Sequence, residues 1–310
     1  MDLRQLEYVV AVAEERSFTR AAVRCHVVQS ALSAQVARLE RELGVTLFHR
    51  TSRSVRVAPA GELLLPRARA LLRGAEEARA ELAGFSGAIT GRLRLGVIGT
   101  AATRLPRFDR ALQRFHERHP AVEIAVHDTG SRHMAEAIRT GDLDLAFVGL
   151  YAQQLPTGLV HHLLVDEPLV AVVGPSHPLA GQAGVALDEL AAAGSFIEMR
   201  AESGLRMQVD AAFERAGVDR TIAFELGTPD AVARYAGLGL GTGLVPASTA
   251  RAATRVAALP LDDRMARHPI GLVHQAPAPT TPSARAFLAI ALGTDGELRS
   301  GAVEDPHPRR

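Results

Sequence analysis

SFTRAAVRCHVVQSALSAQVARLERELGVTLFHRTSRSVRVAP, residues 17–59, is the stretch that decides how this chain folds. Ser17 stands where an N-cap belongs, its hydroxyl able to accept from a first-turn amide of a helix over Phe18 to Cys25. Ala21 and Ala22 are small, as a close helix crossing requires. The turn Arg24-Cys25-His26-Val27 leads into a longer helix from about Gln29 to Leu43, with Leu32, Val36, Leu39 and Leu43 on its core face. Gly44 follows where a left-handed cap residue is needed. Thr46 to Pro59 alternates enough for a two-stranded hairpin with Thr51, Ser52 and Arg53 at its tip. Upstream, Leu3, Leu6, Val9, Val10 and Ala13 recur at helical spacing and predict a first helix ending near Arg16.

Charge narrows the function. Eight arginines lie between Arg16 and Arg56 against Glu40 and Glu42, a net of +6, whereas the whole chain is only +1. The remainder therefore carries a net of −5. A compact basic element on an otherwise acidic protein is the electrostatic footprint of nucleic-acid binding. The chain contains no Asn, so reading of an adenine edge falls to Gln.

At 310 residues, 47% hydrophobic and 22% charged, the composition is that of a soluble globular protein of about two domains. The amino end lacks the basic region and apolar core of a secretory signal, and no uncharged apolar run of membrane-spanning length occurs. A cytoplasmic protein with no membrane partner is expected. The single cysteine, Cys25, excludes an internal disulfide and any CxxC motif, and is expected to pack in the small helical core.

Past the hairpin, one long helix is predicted from Ala60 to about Phe85. Leu64, Ala68, Leu71, Ala75, Ala78 and Leu82 follow a 4, 3, 4, 3, 4 spacing, a heptad seam that needs a partner. The seam either packs on its own domain or joins two copies, and the heptad favours a dimer. Gly84, Gly87 and Gly91 mark a linker. Strand–helix alternation then begins, which predicts an α/β architecture. Strands are expected at Leu93–Ile98, Val122–His127, Leu143–Val148, Leu169–Val173, Ser195–Met199, Thr221–Glu225, Thr242–Val245 and Pro269–His274. The intervening helices end near His119, Thr140, Ala216, Gly237 and Leu292. Leu169–Val173 is apolar throughout and reads as a parallel strand buried on both faces. The tail from Gly296 is expected to be disordered.

These elements resemble the LysR-type transcriptional regulators. The resemblance is carried by Phe18-Thr19-Arg20-Ala21-Ala22, Gln29-Ser30-Ala31-Leu32-Ser33, Leu39-Glu40-Arg41-Glu42-Leu43-Gly44 and Leu47-Phe48-His49-Arg50, continued by Arg56, Pro59, Ala60 and Gly61. It is specific over the first 60 or so residues. It is looser beyond, through Gly141-Asp142-Leu143-Asp144-Leu145-Ala146 and Gly237-Leu238-Gly239-Leu240-Gly241. It implies a winged helix-turn-helix DNA-binding domain (1–60), a linker and dimerisation helix with hinge (61–90), and an α/β, periplasmic-binding-protein-like effector domain (91–295). The last would divide into subdomain I (91–165 and 267–292) and subdomain II (166–266), with residues 296–310 as the tail. The implied partners are double-stranded DNA, a small-molecule effector, RNA polymerase, and further copies of the chain as dimer or tetramer.

In such an arrangement the Gln29 helix lies in the major groove with its first turns at the base edges. Gln29, Ser30, Ser33 and Ala34 share that face, Thr19 and Arg20 flank it, and Arg38 is placed to reach phosphate. Arg50 and Arg53 are expected to contact the backbone from the hairpin, or Arg53 a narrow minor groove. Two positions depart from the family pattern. Val28 replaces the usual Ser before the recognition helix and cannot cap its amides, and Ala34 replaces a long polar side chain.

Ligands of such sheets bind where strand ends meet helix N-termini. Four loops qualify: Gly99-Thr100-Ala101-Ala102, Thr129-Gly130-Ser131, Glu202-Ser203-Gly204 and Thr228-Pro229-Asp230. Their hydroxyls and free amides suit a carboxylate or another anion. The candidate effector site is therefore Thr100, Ala101, Gly130, Ser131, Ser203, Thr228 and Pro229, with Thr100, Ser131 and Thr228 at its heart.

No catalytic residue, metal site or cofactor is assigned. In Gly237-Leu238-Gly239-Leu240-Gly241-Thr242-Gly243 no frame satisfies GxGxxG, so a tight helix-to-strand turn is expected. His116-Glu117-Arg118-His119 is one residue short of HExxH, and His161-His162 lacks clustered acidic or thiol partners. Two other classes stay open on the residues alone. One is a small-molecule binding protein whose basic head contacts protein; the other is an α/β enzyme with an accessory helical domain.

Overall fold

In a computed structural model, residues 1–50, 54–84, 89–99 and 106–294 are described. The chain forms two compact units, Met1–Gly91 with Thr140–Asp142, and Arg92–Arg139 with Leu143–Arg310. The expected tail at 296–310 lies outside the described residues.

The amino-terminal unit opens with α1 (Leu3–Glu15), fixed by a capping box. In it the Gln5 amide donates to Asp2 at 2.8 Å and the Asp2 amide to the Gln5 side chain at 3.1 Å. Ser17 caps α2 (Phe18–Arg24) by accepting from the Arg20 amide, as its position predicts. Helix α3 (Gln29–Leu43) starts at Val28 with no side-chain cap and ends on Gly44, whose φ of +69° is left-handed. Leu6, Val9, Val12, Ala21, Leu32, Val36, Leu39 and Leu47 form the core. Leu43 does not join it; at 40% exposed it lies past the point where α3 leaves the core.

The expected hairpin is β1 (Phe48–Arg50) antiparallel to β2 (Val55–Val57), with its tip outside the described residues. Helix α4 (Pro59–Gly84) follows. Gly61 sits so close to the hairpin that a Cβ there would lie 2.5 Å from the Leu47 carbonyl oxygen. The heptad seam is split. Ala68 is fully buried in the unit's own core, and Leu64 is half-buried against that core. Leu71 and Leu82 are 49% and 70% exposed, Ala78 is exposed and Ala75 is half-buried. A regular heptad specifies an apolar stripe; it does not say that one partner covers its whole length.

The second unit is built on one mixed nine-stranded sheet. In chain order its elements are β3 (Gly91–Val97), α5 (Pro106–Arg118), β4 (Val122–His127), α6 (Ser131–Thr140), β5 (Leu145–Val148), β6 (Leu159–Val173) and α7 (Leu187–Ala193). Then come β7 (Phe196–Met199), α8 (Gly204–Ala216), β8 (Ile222–Leu226), α9 (Pro229–Gly237), β9 (Thr242–Pro246), α10 (Ala247–Ala252), β10 (Ala257–Pro260), β11 (Arg267–Gln275) and α11 (Pro282–Leu292). The strand order is β4-β3-β5-β11-β6-β9-β7-β8, with β10 also on β6.

Strands β6 and β11 carry the chain between the two ends of this sheet. The first half of β6 pairs with β11, and its second half with β9 and β10. All these pairings are antiparallel, which corrects the parallel reading of Leu169–Val173. Ala171, Val172 and Val173 are fully buried as expected. An apolar run reports burial on two faces and carries nothing about the direction of its neighbours. The short elements α7, α10 and β10 have no counterpart in the sequence reading. The Gly237–Gly243 run makes the expected tight turn, with Gly239 at φ +77° and Gly241 at φ +155°.

Candidate DNA-reading face and effector pocket

On α3 the side chains of Gln29, Ser30, Ala34 and Arg38 are exposed on the outer face, and Thr19 and Arg20 are exposed on α2. Among the described residues Arg38 has no ion-pair partner, which leaves its guanidinium available to a phosphate. Arg20 is held by Glu15, and Arg24 by Glu14 at 2.6 Å. These glutamates stand just upstream of the basic window; counting both lowers its net charge from +6 to +4.

Arg50 donates to Ser33 Oγ at 3.0 Å and to Glu40 Oε2 at 3.0 Å, with its guanidinium 4.2 Å above the Phe18 ring. The other Glu40 oxygen accepts from the Leu47 and Phe48 amides at 2.9 and 3.2 Å. Arg50 and Glu40 thus tie the hairpin to the recognition helix. Ser33, half-buried, is part of that tie. Arg53 lies outside the described residues. Cys25 is half-buried against the core, and burial pushes its thiol pKa up, with Glu7 adding to the shift.

In the second unit the N-termini of α6, α8 and α9 converge on one cavity of about 550 Å³. Gly130, Ser131, Ser203, Thr228 and Pro229 all line it. Thr100 and Ala101 lie outside the described residues. Ser131 is buried and its Oγ accepts from the Gly149 amide at 3.0 Å, while Thr228 caps α9 by accepting from the Ala231 amide at 3.2 Å. Ser203 makes no cap bond to α8 and lies half-buried in the cavity wall. The walls approach closely: a Cβ on Gly204 would fall 2.4 Å from the Gly149 carbonyl oxygen and 2.8 Å from Ser131 Oγ.

The sequence reading missed five charged or titratable groups on this wall: Asp128, Arg200, Glu202, His133 and His268. The first three sit in or beside loops already singled out and were legible there. His268, on β11, reaches the cavity only because that strand runs beside β6. It is 1% exposed, and neither ring nitrogen has a hydrogen-bond partner among the described residues. Burial pushes its pKa down to about 4, partly opposed by the Asp166 carboxylate, so the ring is neutral at physiological pH. Near the strand crossing, Asp166 accepts from the Tyr151 hydroxyl at 3.0 Å and from Arg267 Nε at 2.9 Å.

The histidines that the sequence singled out lie elsewhere. His116 is exposed at the end of α5 and His119 is half-buried, its ring beside that of Phe115. His162 Nε2 lies 3.0 Å from His274 Nε2. No group of three or more His, Cys, Asp or Glu able to hold a metal ion occurs among the described residues, and no described helix is long and apolar enough to cross a membrane.

A winged helix-turn-helix unit joined to a two-lobed α/β ligand-binding unit defines a class of transcription regulator. Two family profiles make the assignment: the bacterial regulatory helix-turn-helix protein of the lysR family matches residues 3–62, and the LysR substrate binding domain matches residues 86–295. The chain belongs to the LysR family and is a DNA-binding transcription regulator with an effector-binding domain. It is 32% identical to the DNA-binding transcriptional dual regulator OxyR of Escherichia coli K12, over 90% of this chain and 91% of that one. It is 34% identical to the HTH-type transcriptional regulator BudR of Raoultella terrigena, over 80% and 85%. The structure of a full-length OxyR point variant from Pseudomonas aeruginosa superposes with a TM-score of 0.70 at 26% identity, covering 94% of this chain and 93% of that one.

Proposed function

We propose that this regulator reads duplex DNA as a homodimer or tetramer through the outer face of α3, and that a small molecule in the 550 Å³ cavity controls that binding. The observation that carries the reading is the exposed row Gln29, Ser30, Ala34 and Arg38 at the uncapped start of α3. Gln can meet adenine through N6 and N7, Ser can serve several bases, and Arg38 meets phosphate. Self-association runs through the exposed part of α4, from Leu71 to Leu82. Recruitment of RNA polymerase follows from operator occupancy, in the cytoplasm, with no chemical turnover by the protein.

The one cysteine, Cys25, belongs to the amino-terminal unit, and residues 91–295 contain none with which an effector domain could act as a thiol switch.

Footprinting on the DNA flanking the protein's own gene, with and without a small-molecule cell extract, tests the reading. Protected inverted half-sites about one helical turn or more apart are expected, with the pattern changed by the extract. Affinity should fall steeply with added salt because neutralised phosphates release counterions. Arg38→Ala should weaken binding evenly across sequences and reduce the magnitude of the salt slope by about one. No preference for any duplex at low ionic strength would overturn the DNA-reading face. A footprint indifferent to the extract would overturn control through the cavity.

A further inference from the structure

Two helices from either side of the β6–β11 pair supply walls of the cavity. Helix α6 follows β4, and its start presents Gly130 and Ser131; α8 follows β7, and its start presents Ser203 and Gly204. Along one edge these walls are already joined. A Cβ on Gly130 would lie 3.2 Å from the Glu202 carbonyl oxygen, and one on Gly204 would lie 2.4 Å from that of Gly149. Gly204 is not left-handed, so glycine there serves close approach alone. One turn further along, Arg132 Nε donates to Met207 Sδ at 3.2 Å.

Behind this join, Gln208 on α8 is 6% exposed and is not among the residues that line the cavity. Its Nε2 donates to Gln154 Oε1 at 2.8 Å and to the Gly149 carbonyl oxygen at 3.4 Å. Gln154 Oε1 also accepts from the Tyr151 amide at 2.8 Å. A backbone N–H can only donate, so Gln154 turns its oxygen this way and Gln208 answers with its amino group. The Gly149 amide in turn donates to Ser131 Oγ at 3.0 Å, which carries the tie back to the wall built by α6. Residues 149–154 are thus gripped by α6 on one side and α8 on the other. Gln208 is the side chain that closes the grip, and without its amide two acceptors lose their donor.

Building on the reading of this cavity as the effector site, we propose that Gln208 is a positioning residue: it clasps the two walls so that the effector enters a cleft already set at its binding width. Gln208 itself touches no part of the effector. Walls held ready lose no binding free energy to being drawn together. Once the clasp is broken, apparent affinity falls with the fraction of molecules whose walls are in place.

Hydrogen exchange of the full-length protein tests the clasp with no ligand added. The reporter is the Gly149 amide, which neither glutamine bonds directly. In Gln208→Leu it should exchange roughly tenfold faster, the effect of one lost hydrogen bond between buried groups, while the amides of α11 keep their wild-type rates. Gln154→Leu should do the same, and the double variant no more than either single one, because both remove one contact. Additive effects would make each glutamine a support of its own wall only, and would overturn the proposal, as would unchanged exchange at Gly149. Gly204→Ala keeps every hydrogen-bonding group but wedges the join; it should release the same amide and carries the test if Gln208→Leu does not fold. Footprinting with graded small-molecule cell extract reads the consequence. In Gln208→Leu the midpoint of the response should move to about fivefold more extract with the final pattern unchanged, and an unmoved midpoint would overturn the positioning role. If the wild-type footprint ignores the extract, it is the control reading that has failed, and exchange at Gly149 alone decides the clasp.

Discussion

Arg50 and His268 show how the surroundings of a side chain decide its role. Arg50 spends its donors on Ser33 and Glu40, and Glu40 in turn holds two hairpin amides. Replacing Arg50 by Met keeps the stem over Phe18 but leaves the mostly buried Glu40 carboxylate unpaired. A loss of about 1–3 kcal/mol is expected, read as an earlier thermal transition of the amino-terminal unit, with operator affinity falling because the hairpin loosens against α3. An Arg50→Met protein that kept its stability but lost DNA binding would instead make Arg50 a direct phosphate contact. His268 titrates in the other direction from a solvated imidazole. Its folded pKa near 4 lies below the ordinary 6.5, so between these values the unfolded chain binds more protons than the folded one. The stabilisation is complete above about pH 6.5 and is lost as pH falls toward 4, roughly 3 kcal/mol across the window. His268→Gln should therefore flatten the decline in urea-unfolding stability between pH 7 and 4.5. An unchanged decline would mean that the ring takes up its proton in the fold as readily as in the unfolded chain.

Helix α3 begins without a cap, and α4 carries two faces. Val28→Ser would offer the α3 amides an acceptor that Val28 cannot, worth about 1 kcal/mol. Slower amide exchange across the first turns of α3 is the expected outcome; unchanged exchange would show that the new hydroxyl does not reach them. On α4 the boundary between inward and outward faces falls between Ala68 and Leu71. Leu71→Asp should dissociate the assembly, seen as a halved or smaller mass in light scattering, while leaving the helix-turn-helix fold intact. Ala68→Asp should unfold that unit, because the aspartate would be buried in its core. Equal behaviour of the two variants would contradict this division of the helix.

Across the whole molecule, the parts legible in sequence were those governed by local rules. Periodicity, Ser17, Gly44, and the Thr228-Pro229 start of α9 set helix limits to within a residue or two, because caps and left-handed positions are local chemistry. Loops at helix N-termini pointed to five residues that the fold does bring to one cavity. Where partners are distant in sequence, local rules had nothing to act on. Glu14 and Glu15 fold back on Arg24, Ser33 and Glu40 capture Arg50, and β11 delivers His268 from the far end of the chain. Strand direction on either side of β6 and the hidden half of the α4 seam belong to the same set. Sequence by itself determined most of the elements, the basic head and the loops at helix N-termini, since each follows from neighbours along the chain. Tertiary structure alone decided which charges are already neutralised, which histidine is stripped of water and which apolar face remains to be covered, since each depends on what the fold places beside it.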